Sequence, residues 1–140
     1  IRPILRESSV DAKLRDLFDM LMESVLAELP DWVQKLLDEV PLCVEDYPSR
    51  EVMARMNIRH RDALCGLYTG VPLSERCIVD IVRLPDVVMI YREGIINEAA
   101  RIAGHLTQDE LRRQIRITVL HELGHYHGFG EEELEMLGYG

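Results

Sequence analysis

The chain has little of what would tie it to several common classes of protein. It has three cysteines in 140 residues, Cys43, Cys65 and Cys77. An odd number without CxxC spacing excludes a disulfide framework and a cysteine-built structural zinc site. Reduced core thiols in a cytosolic protein are the expectation. No apolar run reaches the roughly eighteen residues of a membrane-spanning helix. The opening Ile1-Arg2-Pro3-Ile4 does not read as a signal peptide, so a cytoplasmic location is expected. Positive charge is scarce: 16 Lys and Arg stand against 25 Asp and Glu, for a net charge of −9. That is the wrong sign for a nucleic-acid backbone, and it favours basic or neutral peptides over acidic ones. Repeats, low-complexity tracts and linkers are absent. The 47% hydrophobic content is enough for one core, so residues 1–140 are expected to form a single domain.

The apolar periodicity predicts a helix over Asp11 to Leu29, with Leu14, Leu17, Phe18, Leu21, Val25 and Leu29 on one stripe. Pro30-Asp31 interrupts it, and a short helix with Trp32, Val33, Leu36 and Leu37 follows. Val40 to Asp46 reads as a strand, and Pro48-Ser49 opens a short helix to Met56. Arg59-His60-Arg61-Asp62 reads as a solvated loop. Leu64 to Thr69 and Arg76 to Val82 read as further strands, and Val87 to Tyr91, rich in β-branched residues, is the clearest. Ile95 to Ala103 reads as a loose helix. Thr107-Gln108-Asp109-Glu110 is a capping box that opens a last long helix. The fold class is α+β: a small mixed sheet flanked by helices, with that last helix packed beneath it.

The last helix carries His121-Glu122-Leu123-Gly124-His125, an HExxH motif. Two histidines four residues apart share a helical face, so both imidazoles can reach one metal ion, and the intervening glutamate can address a water on it. The surrounding residues are apolar nearly all round the helix, as for a buried rod. Gln114, Thr118, His121 and His125 form a polar stripe within about 60°, and this face is expected to border a cleft. A zinc site needs a third protein ligand, and only the residues after His125 are left on the downstream side. Gly128 suits a left-handed turn that ends the helix, and Glu131 follows three residues later. His₂Glu plus water is a catalytic zinc set. Glu132, Glu133 and Glu135 compete with Glu131 for the role. His127 lies about 200° round the helix from His125 and points elsewhere.

These residues resemble the small bacterial zincin-like metallopeptidases, or minimal zincins. The resemblance runs from about Val40 to Tyr139. It is carried by Val44-Glu45-Asp46, the stretch Leu64 to Arg76, Leu84-Pro85-Asp86, Arg116 to Glu122, Gly128 and the Glu131-Glu132-Glu133-Leu134 turn. It implies a compact zincin-like fold and a metal held by His121, His125 and an acid at position 131. The family usually has aspartate there, so Glu131 is a departure. In zincins an edge strand above the metal pairs with extended substrate, which makes Gly66, Leu67 and Tyr68 candidate substrate-binding residues. Tyr68, Tyr126 and Tyr139 are candidate oxyanion donors.

The reaction expected is zinc-assisted hydrolysis of peptide bonds in a peptide or protein substrate, with Glu122 as general base. The alternative is a metal-binding interaction module with weak or lost peptidase activity.

Overall fold

The computed structural model describes residues 10–70, 86–128, 130 and 132. The strand expected over Arg76 to Val82, together with Cys77, Glu131, Glu133, Glu135 and Tyr139, lies outside the described residues.

Helix α1 spans Ala12–Glu28. The Asp11 carboxylate caps it by accepting from Leu14 N at 2.8 Å. Phe18, Leu21, Met22 and Val25 are its buried stripe. Leu29 ends it in extended backbone, as the crowding ring of Pro30 demands of the residue before it. Helix α2 follows at Asp31–Glu39 and buries Val33 and Leu36.

Strand β1 is Leu42–Glu45, shorter at both ends than the hydrophobic run. Its exposure alternates, so Cys43 faces solvent. The expectation of a core cysteine there is therefore corrected by the two-residue period of the strand. Helix α3, Arg50–Arg55, is capped by Ser49.

Residues Arg61–Ala63 form a 3₁₀ turn where a solvated loop is expected. Arg61 is drawn in by Glu93, which is 4% exposed. The guanidinium meets that carboxylate with two bonds, at 3.0 and 3.1 Å, and lies 4.0 Å from the centroid of the Tyr47 ring.

Strands β2 (Gly66–Thr69) and β3 (Val87–Tyr91) complete a sheet of order β1-β3-β2 among the described residues. β1 runs parallel to β3, and β2 runs antiparallel to it, with Tyr68 opposite Val88. The sheet is mixed, as expected. Helix α4 is Arg92–Ala103 and starts directly from β3, three residues earlier than its apolar pattern indicates.

Helix α5 is Gln108–His127. It packs against β2, β3, α1, α2 and α4. Val88 and Ile90 of β3, Phe18 of α1 and Ile115 and Val119 of α5 meet in one fully buried core. No helix among the described residues is long and apolar enough to cross a membrane.

Candidate metal centre

Helix α5 places the candidate residues, and its two ends are fixed locally. Thr107 Oγ1 accepts from Glu110 N at 3.2 Å. The other half of the expected capping box does not form, because the Glu110 carboxylate bonds Gln114 Nε2 at 2.7 Å and Arg113 at 3.1 Å. At the far end Gly128 takes the left-handed conformation, φ 119°, and its N–H returns to the carbonyls of Gly124 and His125.

His121 and His125 sit one turn apart and half-buried, with their Nε2 atoms 3.1 Å from each other. At that separation both nitrogens cannot carry a proton. Either one N–H donates to the other ring, or both lone pairs are directed at a shared cation. Two nitrogens bound to one zinc at about 2.0–2.1 Å lie no more than about 4.2 Å apart, so the pair fits a common ion.

Glu122 is 8% exposed. Its Oε1 accepts from the backbone N–H of Tyr68 at 2.9 Å. Its Oε2 is on the histidine side, 3.9 Å from His121 Nε2.

Strand β2 lies along α5 because their repeats match. Four residues of helix advance about 6 Å, and two residues of strand about 6.7 Å. Gly66 therefore sits over Thr118 and Glu122, while Tyr68 sits over Tyr126 with ring centroids 5.7 Å apart. A Cβ on Gly66 would fall 2.9 Å from Thr118 Cγ2 and 3.0 Å from Glu122 Cγ, so the close approach requires glycine. This contact corrects one expectation. Gln114 and Thr118 are each only 7% exposed and do not border an open cleft. Gly66 covers Thr118, whose hydroxyl bonds back to the Gln114 carbonyl at 2.8 Å.

The Cys65 carbonyl accepts from Tyr91 N at 2.8 Å, which sets the alternation of the β2–β3 ladder. Residues 65, 67 and 69 bond towards β3, and the backbone groups of Gly66 and Tyr68 turn to the outer edge of the sheet. Of the candidate phenols, Tyr68 donates to Asp86 Oδ1 at 2.7 Å and Tyr126 to Glu39 Oε1 at 3.1 Å. Burial, with help from the Glu98 and Glu122 carboxylates, pushes the Cys65 thiol up to about 11. At neutral pH it is protonated and is not a nucleophile.

His121, Glu122 and His125 are thus brought together with Gly66 and Tyr68. Among the described residues no group of three or more His, Cys, Asp or Glu side chains converges on a metal position. Glu131 lies outside those residues, and Glu132 is exposed. The sequence reading gave Asp86, Glu39 and Glu93 no role. Their partners are 18 to 87 positions away; Glu39 and Glu93 stand in no local pattern, and Asp86 enters only as the end of the Leu84-Pro85-Asp86 stretch.

The profile of the zincin-like metallopeptidase family matches residues 37–139. A search of curated proteins returned no match. The matched span holds the three strands found among the described residues and the HExxH helix with its Gly128 cap, and the chain belongs to the zincin-like metallopeptidases.

Proposed function

We propose that the protein hydrolyses peptide bonds with a zinc ion held by His121 and His125 through Nε2 and by Glu131 through a carboxylate oxygen. The observation that carries this reading is the 3.1 Å approach of the two imidazoles, with a buried carboxylate on the residue between them. Zinc, when bound, polarises a carbonyl and acidifies water to a pKa of about 7. Glu122 accepts the water proton at Oε2, the oxygen on the imidazole side, and passes it to the leaving amine. Oε1 stays with the β2 backbone and keeps the carboxylate from rotating away. Extended substrate adds along the outer edge of β2 at Gly66 and Leu67, stopping short of the Tyr68 N–H that Glu122 holds. The acidic balance of the chain favours basic or neutral peptides.

The test joins elemental analysis to cleavage of a broad peptide library. Wild type should carry one zinc per chain and lose it in His121→Ala. Glu122→Gln should keep the zinc and lose turnover by about 10²- to 10⁴-fold. Tight zinc in a protein lacking both histidines, or full turnover in Glu122→Gln, would sink the proposal. Zinc without turnover in wild type would make the protein a metal-binding interaction module.

A further inference from the structure

Tyr68 is fixed in three directions beside Glu122. Its backbone N–H donates to Glu122 Oε1 at 2.9 Å, its phenol donates to Asp86 Oδ1 at 2.7 Å, and its ring meets Tyr126 edge-on. Glu122 and Tyr126 are four residues apart on α5, so this one strand residue spans two successive rungs of the helix. Asp86 immediately precedes β3, which carries Val88, the cross-strand neighbour of Tyr68. The phenol–carboxylate bond therefore ties the end of β2 to the start of β3 beside the ladder. Gly70 makes room for this bond. A Cβ there would fall 2.8 Å from Tyr68 Oη and closer still to Asp86 Oδ1.

We infer that Asp86 and Tyr68 form a positioning clamp for Glu122, acting through the β2 backbone and not on the substrate. The inference rests on the reading of Glu122 as general base. A glutamate side chain has three rotatable bonds, and burial alone does not choose its rotamer. A hydrogen bond from a fixed N–H to the charged carboxylate does choose it. That N–H is only as fixed as the strand that carries it. β2 is four residues long, lies at the sheet edge and has a ladder on one side among the described strands. The Asp86–phenol bond and the Tyr126 contact supply a second anchorage, on the side chain. A displacement of about 1 Å in a reacting group can cost about 10²-fold in rate, so anchorage of this kind reaches the chemistry.

The experiment uses the full chain, isotope-labelled and zinc-loaded, and reads both the Tyr68 amide by NMR and steady-state peptide cleavage. Glu122→Ala defines the amide position without the carboxylate. Asp86→Ala and Tyr68→Phe should move the Tyr68 amide towards that position and speed its exchange with solvent. They should lower kcat by about 10- to 100-fold and leave KM within about twofold. Asp86→Asn should restore the amide and kcat, because its side-chain carbonyl still accepts from the phenol. Tyr68→Phe removes one hydroxyl from a half-buried ring, so it decides the matter even where Asp86→Ala fails to fold. A wild-type amide in Tyr68→Phe overturns the clamp, as does a kcat loss with an unmoved amide or a failed rescue by Asp86→Asn. If wild type shows no turnover, the peptidase reading fails, and the amide shifts alone still decide the clamp.

Discussion

Asp46 receives two guanidinium groups, Arg15 from α1 at 2.7 Å and Arg92 from α4 at 2.9 Å. Arg92 also holds Asp19 of α1 at 2.9 Å, so four charges join the first helix to the end of β1 and the start of α4. The Arg15 hydrogen bond, followed by that of Arg92, holds the Asp46 carboxyl below its ordinary 3.8 against the opposing effect of burial. A folded-state value below the unfolded one means that the unfolded chain takes up its proton first as acid is added. The stabilisation by Asp46 is then complete above 3.8 and fades as pH falls through the lower, folded value. Asp46→Asn should lower the melting temperature at neutral pH by about 2–4 °C, a modest effect because water screens the partly exposed pair. The gap to wild type should narrow in melts recorded well below pH 3.8. An equal gap at both pH values would mean that the charge of Asp46 plays no part.

At the scale of elements, the pairing of β2 with α5 decides where Glu122 points. Gly66→Ala puts a methyl group 2.9 Å from Thr118 Cγ2 and 3.0 Å from both Glu122 Cγ and the Met89 carbonyl. Two of those neighbours are side chains with some freedom, and the third is backbone on the central strand. The substitution should destabilise the fold by about 1–3 kcal/mol, read by denaturant titration. Its folded fraction should also lose turnover, because the strand or the carboxylate has to shift. Wild-type stability in the Gly66→Ala protein would show that β2 has slack against the helix.

The same pair of elements shows what the sequence discloses. α5 is readable because its signals are local: a capping threonine, apolar residues on nearly every face, histidines at i and i+4, and a glycine to stop it. The close packing of its companion is not readable: Gly66 stands inside the expected strand Leu64 to Thr69, and no local signal shows that α5 lies against it. The start of α4 escapes for a related reason. Tyr91 precedes it without a side-chain cap, and the first-turn N–H of Glu93 is satisfied by the Asp46 carbonyl across the fold. Arg61 and Glu93 each read as exposed charges, and only their pairing across 32 positions accounts for their burial. The proposal of Glu131 as third ligand rests on spacing and family resemblance.

Over the whole molecule, the family span and the packing unit do not coincide. The profile begins at residue 37, whereas α1 ends at Glu28. Yet Phe18, Leu21, Met22 and Val25 of α1 belong to the same core as Ile115, Val119 and Leu123 of α5. Arg112 of α5 bonds Ser24 at 2.7 Å and reaches Glu28, which pins the two helices side by side. Burying four such side chains contributes about 6–12 kcal/mol, while a whole domain is stable by only about 5–15 kcal/mol. A protein cut back to residues 37–140 would keep every motif residue and lose one wall of the helix that bears them. It should show no cooperative thermal transition, and a cooperative melt near that of the full chain would refute this. The break falls inside α2, so the two pieces would have to rejoin one interrupted helix, which makes the chain a test of fragment complementation. A synthetic peptide of residues 10–36, added to the truncated partner, should restore the transition and, under the proposed function, zinc binding by His121 and His125. The proposed metal centre would then be assembled by mixing two inert parts.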